Sequence, residues 1–179
     1  MEDRTKELLE SKLDAESRDR LLALPCRAVH EFVAKAIDLC KPKSVRVLSD
    51  DPADEAYVRQ LAMEDGSETA LAMEGHTIHY DGYNDQARDK ANTRYLLPEG
   101  EDLGSRINSI SKAEGLPEIL GFLDGAMAAS GTTMLVCFHC LGPTNSVFSI
   151  PVVQVTDSSY VAHSINLLYR PGYEQFKSV

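Results

Sequence analysis

Apolar positions in the first forty residues recur at helical spacing. Leu8, Leu9 and Leu13, then Leu21, Leu22 and Leu24, punctuate a charged background, which predicts helix over 2–40 with an interruption at Pro25. Ala28, Val29, Phe32, Val33, Ala36, Ile37 and Cys40 resume the stripe, and Pro42 stops it. Ser44 to Leu48 alternates instead, which puts Val45 and Val47 on one face of a short strand. Asp50-Asp51-Pro52 then opens a helix, because an aspartate cap accepts from orphan amides and proline suits a first turn. Val58, Leu61 and Ala62 form its inward stripe, and Asp65-Gly66 ends it. Strand, turn and helix in that order begin an α/β layer.

The pattern weakens between 67 and 112. His76 to Tyr80 and Arg94 to Leu97 read as short strands, Tyr80-Asp81-Gly82 as a turn, and Asn84-Asp85 as the cap of a short helix through Arg88. Leu116 to Ala129 reads as helix, with Pro117 near its start and Ile119, Leu120, Leu123 and Met127 inward. Thr132 to Leu141 is nearly continuous apolar, as expected of a central strand buried on both faces. A turn at Gly142-Pro143-Thr144-Asn145 leads into a second strand, Val147 to Val155, where Pro151 points to an edge or a bulge. Asp157-Ser158 caps a final helix, Tyr160 to Tyr169. The chain is therefore predicted to be one α/β domain, a mixed sheet flanked by helices, with 1–40 helical and 44–170 as the α/β core.

Charge narrows the partners. The formal net charge is −10 with no basic stripe, so nucleic acid is not expected. An anionic metabolite would have to be held by local arginines, since the overall field opposes it. No run of eighteen apolar residues is present, so no membrane span is expected. The charged, acidic N-terminus is neither a secretory signal nor a transit peptide, which makes a cytoplasmic location the default. Cys26, Cys40, Cys137 and Cys140 are expected to be reduced and mostly buried.

Local chemistry is sparse. Cys137-Phe138-His139-Cys140 has C-x-x-C spacing, but residues three apart on a strand face opposite ways, so the sulfurs do not meet. His76, His79, Asp81 and Asp85 have metal-ligand chemistry without a compact motif. No phosphate-cradling glycine loop, H-E-x-x-H or G-x-S-x-G is present.

Two segments carry a resemblance. Residues 130–170 contain Gly131, Thr133 and Met134 at the start of a strand. Gly142, Pro143 and Ser146 follow in a turn, then Thr156, Asp157, Ser158, Tyr160 and Val161 before a helix. In order and separation these resemble the G-x-T-M, G-P-x-x-S and T-D-S-x-Y-V stretch of GTP-type phosphoenolpyruvate carboxykinases. Asp85-Gln86-Ala87-Arg88 is similar to the D-x-A-R of the same family. Leu39-Cys40-Lys41-Pro42 adds a shorter match. One departure stands beside them: the family has T-D-P before D-x-A-R, whereas this chain has Asp81-Gly82-Tyr83-Asn84.

The resemblance implies the N-terminal lobe of an enzyme that converts oxaloacetate and GTP to phosphoenolpyruvate, GDP and carbon dioxide in gluconeogenesis. It gives Arg88 the role of binding the carboxylate of oxaloacetate or phosphoenolpyruvate, which suits the planar fork of a guanidinium. The family's catalytic and manganese-binding residues, phosphate loop and guanine pocket lie downstream of the matched region. No catalytic, cofactor or metal residue is therefore expected on this chain, GTP and Mn2+ or Mg2+ belong to the intact enzyme, and no turnover is expected from this lobe alone. Its expected partner is the missing nucleotide-binding lobe. The alternative is a stand-alone, non-catalytic dicarboxylate-binding or protein-interaction module of the same fold.

Overall fold

Asp14 breaks the N-terminal helical stretch. Its carboxylate accepts from the Ser17 N–H at 2.7 Å and caps a new helix. Three helices result: α1 (Asp3–Lys12), α2 (Ala15–Leu22) and α3 (Arg27–Cys40). The computed structural model describes residues 3–83, 89, 92–128 and 131–178. Lys41 takes the left-handed conformation, φ 55°, that closes α3 before Pro42. Strand β1 (Ser44–Val47) and helix α4 (Pro52–Glu64) follow as the pattern predicted, with Asp51 accepting from the Ala53 N–H at 2.8 Å.

The chain divides into two compact units. One comprises Met1–His79 with Gly125–Val179, and the other Tyr80–Asp124.

In the first unit, β2 (Thr69–Ala70) and β3 (Thr77–Ile78) form a small antiparallel hairpin. The main sheet is built on β6 (Thr133–Leu141), which pairs parallel with β1 and antiparallel with β7 (Ile150–Thr156). Helix α6 (Ser159–Leu168) follows, then β8 (Arg170–Pro171) and α7 (Tyr173–Phe176). Because β7 occupies one edge of β6 from Leu135 to Leu141, β8 takes the other edge, beyond the end of β1. The sheet is mixed, and the fold is α/β as the pattern indicated.

Strand alternation divides the core. Met134, Val136 and Phe138 join a cluster with Leu9, Leu21, Val33 and Ile37 from the N-terminal helices. Leu135 and Cys137 face the other way, against Val58 of α4 and Ala162 and Ile165 of α6. All four cysteines are free, and burial pushes the Cys137 thiol up to about 12, which leaves it inert near neutrality.

The second unit holds β4 (Tyr95–Leu97) parallel to β5 (Ser109–Ser111), with α5 (Lys112–Leu123) beside them. Here the helix starts earlier than the proline suggested. The Ser111 hydroxyl accepts from the Glu114 N–H at 3.2 Å and donates to its carboxylate at 2.8 Å, a serine N-cap that overrides Pro117 as the start signal. The inward face also differs. Gly115 packs on Leu96 and Ile110, where a Cβ would collide, while Ile119, Leu120 and Leu123 are exposed. Met127 lies past the helix end, buried in the first unit with its N–H on the Cys40 carbonyl at 2.9 Å.

Two further boundaries moved. The strand expected from Val147 begins at Ile150, because Ser146 and Ser149 bond each other's loop backbone and Asn145 is left-handed. After α6 the chain also continues into β8 and α7, which local periodicity did not announce.

Candidate substrate-binding region

The T-D-S-x-Y-V residues build a helix start. Ser158 accepts from the Val161 N–H at 3.2 Å, and its own N–H donates to the Thr156 hydroxyl at 3.0 Å. These bonds satisfy amides that helical pairing leaves open. They also aim Tyr160 at the end of the β2–β3 hairpin, where its ring stacks on His79 with 3.6 Å between centroids. His79 is held from a second side: Nδ1 donates to the Ser67 carbonyl at 2.6 Å, which fixes the proton on that nitrogen. His79 is the last residue of the first unit before the segment that carries Asp85 and Arg88.

Beside this stack lie two polar contacts that local spacing does not mark, one buried and one partly exposed. His163 Nδ1 donates to the Glu68 carboxylate at 2.7 Å, with both side chains 5% exposed. Burial would raise the Glu68 carboxyl, but hydrogen bonds from Thr77 and His163 outweigh it and hold the group below its usual range. Ser159 donates to Asp65 at 2.5 Å, and Asp65 is likewise held low against its burial by Ser159 and Ser67. Glu68 and His163 lie far apart in sequence, so no local spacing marks them.

On the far side of Arg88, Asp89 accepts from the Asn92 amide at 2.6 Å and from the Thr93 hydroxyl through its carbonyl, also at 2.6 Å. Arg94 lies 3.0 Å from Glu118, within the second unit, at the rim of a cavity of about 390 Å3 lined by Leu96, Ile110 and Phe122. That guanidinium is already committed to a carboxylate. Arg20 and Arg46 are committed too, at 2.7 and 3.2 Å from the buried Asp54.

The sequence-predicted residues fall as follows. Arg88 and Asp85 lie outside the described residues. His76 is exposed, with Nδ1 on the Glu74 carbonyl at 3.1 Å, and does not join His79. Among the described residues, no group of three or more His, Cys, Asp or Glu side chains is placed to hold a metal ion. Among them too, no helix is long and apolar enough to cross a membrane.

A smaller cavity of about 60 Å3 sits where β1 ends, lined by Ser49, Asp50, Asp51, His139, Tyr169 and Arg170. At roughly 10–15 Å3 per water it has room for about four waters. Its His139 is 5% exposed, stacks on Tyr169 at 4.6 Å, and has a buried Nδ1 without a partner.

Comparison with known proteins turns the motif likeness into membership. The family model of the phosphoenolpyruvate carboxykinase N-terminal domain matches residues 31–179. The chain belongs to that family. It is 48% identical over 172 residues to the phosphoenolpyruvate carboxykinase [GTP] of Thermococcus sibiricus, covering 96% of this chain and 27% of that protein. It is 50% identical over 171 residues to the enzyme of the same name from Thermococcus kodakarensis, again 96% and 27%. The corresponding protein of Saccharolobus solfataricus is 41% identical over 148 residues, covering 83% of this chain and 24% of that protein. The chain thus spans about a quarter of the length of these relatives, at their N-terminal end.

Proposed function

We propose that residues 1–179 form the substrate-binding lobe of a GTP-dependent phosphoenolpyruvate carboxykinase, and that Arg88 grips a carboxylate of oxaloacetate or phosphoenolpyruvate. The observation that carries this reading is the match to such enzymes across 96% of the chain. The family match at 31–179 takes in Asp85-Gln86-Ala87-Arg88. A guanidinium offers two parallel donors to a carboxylate, fixing its orientation as well as its charge. Loss of carbon dioxide from oxaloacetate leaves an enolate oxygen, which then takes the terminal phosphoryl of GTP. In this reading the lobe supplies one wall of that site, and Mn2+ or Mg2+ and GTP are held by the rest of the enzyme. This chain alone binds without turning over. The setting is cytoplasmic and the pathway gluconeogenic.

Titration calorimetry with oxalate or phosphoenolpyruvate tests the site. Arg88→Ala removes charge-assisted bonds worth about 1.5–3 kcal/mol, so affinity is expected to fall roughly ten- to a hundredfold. Arg88→Lys keeps the charge, loses the fork and falls between. Equal binding by parent and Arg88→Ala removes the assignment.

A further inference from the structure

Strand β7 is an edge without the usual defences. Among the described residues it pairs with β6 alone. Natural edges are blunted by charge, by bulges or by cover. Here no residue between His139 and Asp157 carries a charge, and Pro151 is the sole edge-breaking residue. One flank of the strand is already fixed, since Val153 and Val155 pack on the main core. The turn leading into it holds Val147 and Phe148 at 93% and 73% exposure, and Ile150 opens the strand at 57%. Open backbone groups and an apolar rim thus lie side by side.

The end of the described chain arrives from β8, on the other edge of β6, and meets the turn that leads into β7. The Asn145 N–H donates to the Gln175 side chain at 2.8 Å, and the Gln175 amide donates back to Asn145 at 3.2 Å. Helix α7 is thereby held against the turn that carries Val147 and Phe148. In the Thermococcus relatives the matched part is the N-terminal 27% of the protein, so the polypeptide there continues from this position.

We infer that the β7 edge with Val147, Phe148 and Ile150 is a docking surface for the polypeptide that follows this segment in the longer relatives. That polypeptide adds an extended, uncharged strand to β7 and covers the rim, in the manner of β-augmentation. The inference rests on reading the chain as one lobe of a longer enzyme, and it names where the remainder attaches.

The test compares hydrogen exchange of 147–156 in this chain alone and in a chimera, where it replaces the matched 27% of the Thermococcus kodakarensis enzyme. In the chain alone the outward β7 amides exchange freely; in the chimera they slow by on the order of tenfold or more. Phe148→Asp with Ile150→Lys leaves the melting of the isolated chain unchanged and abolishes that slowing. Equal exchange in both proteins overturns the inference. So does a concentration-dependent dimer that protects the same amides in the chain alone, because a second copy is then the occupant. If the chimera does not fold, the matching strand of the unaltered Thermococcus kodakarensis enzyme is measured, and free exchange there overturns the inference equally. Carboxykinase activity separates the two readings. An active chimera with an open β7 sinks only the docking surface, whereas a protected β7 without activity sinks the enzymatic reading and leaves the docking surface standing.

Discussion

The ring of His79 lies flat on the ring of Tyr160, with 15° between their planes. One residue closes the β2–β3 hairpin and the other opens α6, so a single contact joins two elements on either side of the segment around Arg88. Stacked aromatic pairs contribute about 0.5–1.5 kcal/mol beyond the area they bury. Tyr160→Ala is therefore expected to lower stability by at least that much in urea titration, and Tyr160→Phe to retain nearly all of it. If the phenylalanine variant loses as much as the alanine one, the hydroxyl matters and the stack does not.

Asp54 is a buried carboxylate with several partners. Ser49 donates to it through both backbone and hydroxyl, and Arg20 and Arg46 lie within 3.2 Å. Burial would raise its carboxyl, but these bonds outweigh burial and hold it below its ordinary value of 3.8. A carboxyl lowered by folding stabilises the native state above that value and ceases to do so as pH falls through the lower, folded one. The acid limb of the stability profile is expected to flatten in Asp54→Asn. At pH 7 that variant leaves Arg46 without its carboxylate and Arg20 with Glu16 alone, at 2.6 Å, and is expected to lose about 1–3 kcal/mol. Denaturation at a series of pH values measures both effects, and an unchanged acid limb counts against this account.

Legibility in the sequence followed the range of the interactions. Helix α4 was readable because its cap, its proline and its stripe of Val58 and Ala62 all sit within one short segment. Strand β6 was readable because burial on both faces leaves an apolar run. The start of α5 is misplaced by the sequence pattern because Pro117 is a conspicuous signal and the Ser111 cap a quiet one. Helix α7 depends on Asp50, far back in the chain, and Glu68 on His163, so periodicity has no access to either. As for the candidate site, its scaffold residues Ser158 and Tyr160 were legible as a motif, whereas the pairing of Tyr160 with His79 needed the fold.

His139 gives a pH effect on a different limb. Burial holds its imidazole below the ordinary value of 6.5, and its Nδ1 has no partner. The unfolded chain then takes up a proton more readily than the folded one, so stability is full above 6.5 and declines as pH falls below it. His139→Phe keeps a ring to stack on Tyr169 and removes the orphan nitrogen, so it is expected to be neutral or stabilising at pH 7. Its advantage should widen as pH falls below 6.5 and level off once pH has passed the lower, folded value. Parallel melting curves for the two proteins across that range would show the account to be mistaken.

Gly172 tests how firmly α7 is fixed. A Cβ there would lie 2.5–2.6 Å from the backbone N, Cα and carbonyl carbon of His139, in the middle of β6. A central strand cannot give way as a flexible side-chain tip does, so the strain falls on the 170–176 segment. Two contacts oppose its release. Asp50 accepts from the N–H groups of Tyr173 and Glu174, both at 2.9 Å, and the Tyr173 hydroxyl donates to the Arg20 carbonyl at 2.7 Å. Tyr173 and Phe176 also set their edges against Phe138 at 5.5 and 5.3 Å. Gly172→Ala is expected to cost about 1–3 kcal/mol, the range for inserting a methyl into a closed contact. It is also expected to speed exchange at the Tyr173 and Glu174 amides, because lifting the segment withdraws them from Asp50. Asp50→Ala should speed the same amides without the steric cost, so its stability loss should be the smaller. A Gly172→Ala protein with parental stability and protected amides would mean that β6 yields, contrary to the packing described.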